Sequence, residues 1–346
     1  MVSPRIVPAS LALLLGCQAS PVPAPAPAPF ADAAPPADVA PPERFGAGTS
    51  WQPCGMLGKV ESLLSLAVSP DGRYLAAGSS QVSIWDLRSG TFVRTIGTDG
   101  GLKYGFSFDG ELVALTGDAR TVARVADGQE VFVVSERGPT CIDWSSAGTI
   151  SPDKRTLALG SCGTVELHAL DGRGVGRLAS HVFAPGVAYS PDGRWLGTSG
   201  PELYTADGDR RLWPAEVVPA PRPADPYYCG VEDLQDNSVA FSPDSSLMLV
   251  SNTIIKPTDF RKPWEARTQL VRVADGSLLQ DFGTSLPRHP SFSPDGAWIV
   301  AGGELVYLRT RTFTPLDTEV EVSAFLPDGR IAAAGKDHAV RLYCPR

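Results

Sequence analysis

The sequence is poor in the features on which many catalytic and membrane-spanning proteins depend. It has only four histidines in 346 residues, and none of them forms an HExxH or HxH motif. GxSxG, GxxxxGK[ST] and GxGxxG motifs are also absent, so serine-hydrolase, P-loop and dinucleotide chemistry have no support. A run of about 20 apolar residues does not occur, which excludes a polytopic membrane protein. Thirty basic against thirty-eight acidic residues leave a net charge of -8, and this charge argues against a nucleic-acid partner.

The first 16 residues have the features of a signal peptide. Arg5 is the only charge before a short apolar run, Ile6 to Leu15, that is too short to cross a bilayer. The run leads into Leu14-Leu15-Gly16-Cys17, which resembles the lipobox of bacterial lipoproteins. The resemblance implies that Cys17 is acylated, becomes the mature N-terminus and holds the protein on a lipid bilayer. Gln18 follows where Asp would indicate inner-membrane retention, so an outer-membrane location in the cell envelope is expected, on either its periplasmic or its surface side. An ordinary secretory signal followed by a chance cysteine is the alternative.

Residues 17–50 are expected to form a disordered linker that begins at the lipidated cysteine. Proline alternates with alanine or valine from Pro21 to Pro29, and the bias continues through Pro41 and Pro42. Such a composition cannot build a core and favours extended polyproline II structure. At about 3.1 Å per residue, roughly 25 residues would hold a folded body tens of ångströms from the lipid. The linker is therefore predicted to act as a semi-rigid tether.

A turn signature recurs seven times in the rest of the chain. In such a turn, proline fixes the φ angle of the first central residue, and Asp is tolerated as the second. Gly then takes the following position, which has φ > 0. Successive signature aspartates are separated by 38, 44, 39, 52, 51 and 33 residues, so the repeat has about 40 residues. The signatures begin at Ser69, Ser107, Ser151, Ser190, Ser242, Ser293 and Leu326.

Each repeat contains four short β-type runs. In the first repeat, runs at Leu66–Val68 and Tyr74–Ala77 flank the turn, and further runs follow at Val82–Trp85 and Phe92–Ile96. Four short strands in about 40 residues are typical of a β-propeller blade. Residues 51–346 are therefore predicted to form an all-β, seven-bladed propeller.

The first repeat also resembles a known family. Ser69-Pro70-Asp71-Gly72 followed by Ile84-Trp85-Asp86 looks like a WD40-type repeat, and the resemblance extends over about residues 55 to 346. A bacterial propeller of the YVTN or TolB-like type fits the same residues. The WD40 resemblance implies a role in binding proteins.

The seventh repeat ends after three strands, so its fourth strand must come from elsewhere. Residues 56–62 are expected to fill this place beside Leu342–Cys344. Cys54 and Cys344 would then meet and form a disulfide, which the oxidising periplasm permits. Two unrelated thiols are the alternative.

Three further cysteines fall in loops on one rim of the predicted ring. Cys141 and Cys162 belong to one blade and are the preferred second disulfide, which leaves Cys229 free or bonded to a partner. A zinc site has less support because no CxxC or CxxH spacing occurs. No metal or other cofactor is therefore expected.

The two longest repeat intervals both involve the fifth blade and indicate a binding surface. Long loops on a rigid scaffold often carry function, and Tyr, Trp and Arg are enriched at binding hot spots. We expect a protein-binding patch formed by Tyr227, Tyr228, Phe260, Arg261, Trp264 and Arg267. Alternatively, the two loops pack on each other and cover the rim.

Two main functions follow from these features. The first is a non-catalytic protein-interaction scaffold, anchored to the bacterial envelope by its N-terminal lipid. The second is a propeller hydrolase or lyase acting on a small molecule or sugar in the central channel, which a divalent ion near the axis would favour. A domain with no role beyond assembly is a third possibility. The absence of catalytic motifs favours the scaffold.

Overall fold

The computed structural model describes residues 44–61, 63, 65–79, 81–97, 103–117, 121–134, 147–161, 164–173, 175–180, 186–208, 211–214, 238–254, 265–284, 286, 289–317 and 319–346. All the regular elements of these residues are strands, 28 in number, and they pair into seven antiparallel sheets of four.

The strands follow one another along the chain blade by blade. The closing strand and the first blade are β1 (Trp51–Lys59), β2 (Ser65–Val68), β3 (Tyr74–Gly78), β4 (Val82–Asp86) and β5 (Thr91–Ile96). The second blade is β6 (Lys103–Phe108), β7 (Leu112–Gly117), β8 (Thr121–Arg124) and β9 (Glu130–Val133). The third is β10 (Ala147–Ile150), β11 (Thr156–Ser161), β12 (Thr164–Ala169) and β13 (Val175–Ala179). The fourth is β14 (Val187–Tyr189), β15 (Trp195–Thr198), β16 (Glu202–Thr205) and β17 (Arg211–Pro214).

The remaining blades continue this order. The fifth is β18 (Ser238–Phe241), β19 (Leu247–Ile254), β20 (Glu265–Arg272) and β21 (Leu278–Gly283). The sixth is β22 (Ser291–Phe292), β23 (Trp298–Ala301), β24 (Glu304–Tyr307) and β25 (Thr312–Pro315). The seventh is β26 (Val320–Phe325), β27 (Ile331–Gly335) and β28 (Ala339–Pro345), completed by β1.

The seven sheets form a closed ring. The first strand of each blade contacts the first strand of the next, and β26 of the last blade contacts β2 of the first. Within a blade, the strands alternate in direction. The first-to-second and third-to-fourth connections therefore lie on one face, here called the turn face. The second-to-third and blade-to-blade connections lie on the opposite loop face. The predicted all-β, seven-bladed propeller closed by an N-terminal strand is confirmed.

The closing strand lies earlier in the chain than the sequence indicated. Strand β1 pairs with β28 from Trp51 opposite Pro345 to Lys59 opposite Ala339, so the expected bounds of 56–62 are wrong. The reason is that pairing extends along the whole of β28, and Ser50 and Arg346 exchange two further backbone hydrogen bonds beyond it. Little of the last strand is then left as an open edge. Cys54 consequently lies inside the closing strand and not before it.

The seven recurring turns adopt the predicted backbone conformation. The residue after each signature aspartate has φ between 60° and 94°, even where it is Lys154 or Ser245 and not Gly. In the first turn, the Ser69 hydroxyl donates to Asp71 Oδ1 at 2.7 Å and accepts from the Tyr74 amide at 2.8 Å. The Ser69 hydroxyl holds the pKa of the Asp71 carboxyl below its usual value.

The second blade departs from this pattern. Asp109 N donates to Leu112 O, three residues on, whereas Ser69 N donates to Tyr74 O, five residues on. The carboxylate of Asp109 accepts from the Leu112 amide at 2.7 Å and so occupies the place that a serine hydroxyl has in five of the other blades. The signature that begins at Ser107 therefore lies in the predicted blade. The residue equivalent to Ser69 is, however, Asp109, two residues after Ser107.

Apolar side chains pack between blades, with one cluster at each of the seven seams. Because successive strand residues face opposite sides of a sheet, each blade contributes to two clusters. In β3, for example, Leu75 and Ala77 pack towards the seventh blade, and Ala76 packs towards the second. The ring is thus stable only when every blade has both neighbours, which explains why its closure matters.

A close approach between the fourth and fifth blades yields a test of this packing. A Cβ at Gly197 would lie 2.5 Å from Met248 Sδ and 3.0 Å from Phe241 Cζ. Because Met248 is fully buried, we expect Gly197→Ala to lower the free energy of unfolding by about 1–3 kcal/mol. Urea denaturation measures the loss. Gly176→Ala is the matched control, since its Cβ would meet only ordinary contacts of 3.6 Å or more. An equal loss in both variants would contradict the prediction.

Candidate functional site

Most residues singled out from the sequence lie outside the described part of the chain. These are Cys17, Cys141, Cys162, Cys229, Tyr227, Tyr228, Phe260, Arg261 and Trp264. The described candidates are Cys54, Cys344 and Arg267.

A disulfide joins Cys54 to Cys344, with 2.03 Å between the sulfur atoms and 5.7 Å between the Cα atoms. It links β1 to β28 near the turn face, where the other blades have a third-to-fourth turn. The two cysteines are 290 residues apart in sequence, so the bond closes the ring covalently.

A second attachment, which the sequence pattern did not indicate, lies close to the start of β1. Residues Arg44 to Ser50, here called the strap, fall within the predicted linker of residues 17–50, yet they contact the propeller. The carboxylate oxygen Oδ2 of Asp295 accepts hydrogen bonds from the amides of Arg44 (2.8 Å) and Phe45 (2.9 Å). The Trp298 indole donates to the Phe45 carbonyl oxygen at 2.9 Å. Three hydrogen bonds from the sixth blade thus fix two strap residues.

The Phe45 side chain is buried at the seam between the sixth and seventh blades. Only 6% of it is exposed, and its ring lies 5.9 Å from the ring of Trp51. Trp51 in turn packs edge-on against Trp298 and Phe325. A side chain at Gly329 would overlap the Phe45 ring, so glycine provides the space that the ring occupies. The sequence signal for this contact was slight: an aromatic residue standing alone after a proline-rich segment.

The strap defines the side of the ring from which the N-terminal segment leaves. Asp295 and Gly329 both belong to first-to-second turns, so the strap lies on the turn face. By contrast, the strand ends that flank segments 215–237 and 255–264, namely the ends of β17 and β19 and the starts of β18 and β20, lie on the loop face. The N-terminal segment and the two longest insertions are therefore attached to opposite faces.

Arg267 is held within the fifth blade. Its Nε donates to Asp281 Oδ1 at 3.0 Å, and its terminal nitrogen bonds the second carboxylate oxygen. Gln269 donates to the same carboxylate at 3.2 Å. The Arg267 hydrogen bond holds the pKa of Asp281 below its usual value. Since 37% of its side chain remains exposed, Arg267 combines a structural ion pair with a solvent-facing surface.

This ion pair predicts a pH dependence of stability. A lowered folded-state pKa means that the charged form of Asp281 stabilises the protein above the unfolded pKa of about 3.9. That contribution is lost as the pH falls through the lower folded pKa. We expect Asp281→Asn to cost about 1 kcal/mol at pH 7 and less at pH 3, measured by urea denaturation at both values. Asp275→Asn, in an exposed turn pair with Arg272, is the comparison and is expected to cost less at pH 7. A pH-independent effect of Asp281→Asn would contradict this origin.

Buried ionisable residues occur elsewhere, chiefly on β12. His168 Nε2 lies 3.3 Å from Glu166 Oε2, and Arg177 lies 3.4 Å from the other oxygen of Glu166. Both His168 and Glu166 are 5% exposed. The Phe132 ring lies 6.3 Å from the His168 ring, and because both members of the pair are almost completely buried, they offer little surface to a substrate.

Within the described ranges, no three or more His, Cys, Asp or Glu side chains are grouped so as to hold a metal ion. The same residues include no helix long and apolar enough to cross a bilayer.

Comparison with known proteins finds a sequence match over one repeat and a similar fold over most of the chain. The family model "WD domain, G-beta repeat" of WD40 matches residues 52–86, which comprise the closing strand and the first three strands of the first blade. None of the curated proteins compared with the chain matches it in sequence.

Two solved structures have a similar fold. The Cps50 (Swd1) β-propeller domain of Myceliophteria thermophila has a TM-score of 0.61 and 14% identity, covering 85% of this chain and 99% of its own. The hydrazine synthase of Kuenenia stuttgartiensis has a TM-score of 0.59 and 16% identity, covering 82% and 96%. Such identities establish the fold alone. The comparisons therefore show a β-propeller fold in which one stretch, residues 52–86, matches a WD40 repeat.

Proposed function

We propose that this protein is a non-catalytic interaction scaffold, held on the bacterial envelope by acylated Cys17 and presenting its loop face to a protein partner. The observation that carries this proposal is the attachment of the N-terminal segment to the turn face, opposite the two longest insertions. A propeller of the WD40 type commonly serves as a rigid platform for protein binding, and this supports the platform role by analogy.

The anchoring half of the proposal combines the lipobox-like sequence with the strap. Residues 18–43 lie between Cys17 and Arg44, the first residue that the structure describes. If extended as polyproline II, they would reach up to about 80 Å at 3.1 Å per residue. A segment leaving the turn face brings that face nearest to the lipid and leaves the loop face accessible. An outer-membrane position is part of the proposal, since Gln18 follows the lipidated residue.

The binding half assigns the partner to the two insertions of the loop face. Both are attached to well-formed strands of the fourth and fifth blades, which limits the motion of their ends. Their Tyr, Trp, Phe and Arg residues are of the types that dominate binding energy at protein interfaces. Arg267 lies at the start of β20, where the Asp281 carboxylate orients its guanidinium. The proposed patch remains Tyr227, Tyr228, Phe260, Arg261, Trp264 and Arg267.

Replacing Cys17 tests the anchor. We expect Cys17→Ser to move the protein from the membrane fraction to the soluble fraction, as measured by fractionation of cells. Cys229→Ser is the matched control, because it removes a cysteine outside the lipobox-like segment. Mass spectrometry of the mature N-terminus checks acylation directly. Retention of Cys17→Ser in the membrane, or an unacylated N-terminus, would overturn the lipid anchor.

Cross-linking in intact cells tests the binding surface. Neighbours of the anchored protein are captured with an amine-reactive cross-linker and identified by mass spectrometry. We expect the combined Tyr228→Ala and Trp264→Ala variant to capture at least tenfold less of a specific partner. The reason is that truncation of a hot-spot residue weakens the binding free energy by about 2 kcal/mol or more. Phe92→Ala is the control, because Phe92 is an exposed aromatic residue on β5, outside the patch. Full retention of every partner by the double variant would overturn the assignment.

A further inference from the structure

The strap and the disulfide lie in series along the path from the N-terminal segment to the ring. Going from residue 43 into the fold, the chain first meets the Asp295 and Trp298 contacts at Arg44 and Phe45. It then reaches the backbone pair between Ser50 and Arg346, and the Cys54–Cys344 bond follows within β1. Any pull on the N-terminal segment reaches these points in this order.

The closing strand would be a weak place to attach a tether. Strand β1 is the outermost strand of its blade and pairs only with β28. A pull on the end of an outer strand, directed away from the sheet, loads its hydrogen bonds one after another instead of sharing the load among them. The same strand closes the ring, so its complete removal would expose both β28 and the apolar seam with the first blade.

The strap diverts such a pull to other parts of the fold. Its hydrogen-bond acceptor Asp295 and donor Trp298 belong to the sixth blade, and Phe45 is buried against the turn of the seventh. Force applied at Arg44 is thus transmitted to the buried aromatic cluster of this seam, which includes the 1% exposed Trp298, before it reaches β1.

The disulfide limits what happens if the strap gives way. Only Trp51, Gln52 and Pro53 of β1 precede Cys54, so peeling from the N-terminal end stops after three strand residues. The remaining residues, Gly55–Lys59, are protected because Cys54 is bonded to β28, which is also paired with β27.

We propose that the strap and the Cys54–Cys344 disulfide form a two-stage mechanical latch, which lets the N-terminal tether carry load without opening the propeller. The inference rests on the proposed role of residues 18–43 as a membrane tether, since that role supplies the load. It goes beyond that role by assigning a task to Phe45, Asp295 and the disulfide. A protein bound at the loop face of an anchored propeller would generate such a load whenever it moved relative to the membrane.

Force spectroscopy tests the latch on the full chain carrying Cys17→Ser, which removes lipidation. Handles are attached through unnatural amino acids at Gln18 and at Arg173, whose side chain is 88% exposed on the third blade. In the oxidised protein we expect release of the strap together with Trp51–Pro53 as the first event, which frees the ten residues 44–53 and lengthens the chain by up to about 35 Å. Peeling of β1 beyond Cys54 then requires reduction of the disulfide.

Two changes separate the two stages. We expect Phe45→Ala to shorten the lifetime of the strap at constant load by about tenfold to a hundredfold, because a buried aromatic contact is lost. Reduction with a phosphine instead leaves the strap lifetime unchanged and allows ring opening directly after strap release. Val133→Ala, which truncates a valine that is 52% exposed on β9 of the second blade, is expected to leave both events unaltered.

Hydrogen exchange of the unloaded protein provides an independent measurement. In oxidised Phe45→Ala, faster exchange is expected at Ser50–Gln52 and not at Gly55–Lys59. In the reduced variant, the faster exchange is expected to extend to Lys59.

An unchanged strap lifetime in Phe45→Ala would overturn the first stage of the latch, and equal opening forces in oxidised and reduced protein would overturn the second stage. Because the pulled protein carries no lipid, these results are separate from those of the Cys17→Ser fractionation.

Discussion

Replacing Cys54 and Cys344 together with serine is expected to lower the free energy of unfolding by about 3–5 kcal/mol. The bond connects residues 290 apart, and in the chain-entropy model closure of so long a loop restricts the unfolded chain by at most about 5–6 kcal/mol. This is a large fraction of the 5–15 kcal/mol that stabilises a typical domain. Denaturant unfolding under non-reducing conditions measures the loss.

Reduction of the native protein provides the control for this prediction. In the presence of a reducing agent, the native protein and the double variant are expected to have the same stability, because any further disulfide is reduced in both. Hydrogen exchange is expected to increase first in β1, since that strand then has no covalent link to β28. An unfolding midpoint that is the same with and without the disulfide would contradict the idea that the bond contributes to ring closure.

Trp298→Ala is expected to have a similarly large effect, about 3–5 kcal/mol, for a different reason. Trp298 is only 1% exposed and packs between Trp51 and Tyr307, so its removal leaves a cavity at the seam of the sixth and seventh blades. It also deprives the Phe45 carbonyl oxygen of its indole donor. Urea denaturation gives the loss of stability, and hydrogen exchange of the Thr49 amide, which donates to Gly46 O within the strap, reports release of the strap.

The repeat itself offers a matched control. Trp195 holds the same place in the fourth blade, because its amide donates to Ser190 Oγ at 3.0 Å as that of Trp298 donates to Ser293 Oγ at 2.9 Å. Trp195 is only partly buried, and Arg194, not the strap, lies over its ring. Trp195→Ala is therefore expected to cost less and to leave exchange in the strap unchanged. Equal losses in the two variants would show that strap contacts add nothing at Trp298.

The strap has a consequence for how the proposed scaffold is used. Proline-rich tethers usually leave a domain free to rotate about their last residue. Here Arg44 and Phe45 are fixed on the turn face, so in the proposed lipid-anchored protein the loop face would lie opposite the point where the tether is attached. The disulfide lies within the seventh blade, whose outer two strands are joined by no covalent turn, and the strap holds the same blade to the sixth.

Local sequence patterns were sufficient to predict the architecture. Turn residues, strand-forming runs and a spacing of about 40 residues act within a single blade, and each blade repeats them, so the number of sheets and the φ > 0 positions follow from short-range rules. Ring closure could also be anticipated, because a blade with three strands leaves an open edge that only the N-terminal residues remain to fill. The pairing of Cys54 with Cys344 followed from the same reasoning.

Only the tertiary structure decided how the strap, the start of β1 and the turn of the second blade are arranged. Phe45 depends on Asp295 and Trp298, about 250 residues away, and no local periodicity records a contact over that distance. Strand β1 begins at Trp51, whose indole donates to Gly329 O and packs against the Trp298 ring of the neighbouring sixth blade. Asp109 replaces a serine hydroxyl because the first turn of its blade is shorter than that of the first blade. The repeated sequence signature does not show this difference in turn length. Short-range stereochemistry thus determined the blades, whereas their attachment to the N-terminal segment depended on contacts that exist only once the ring has closed.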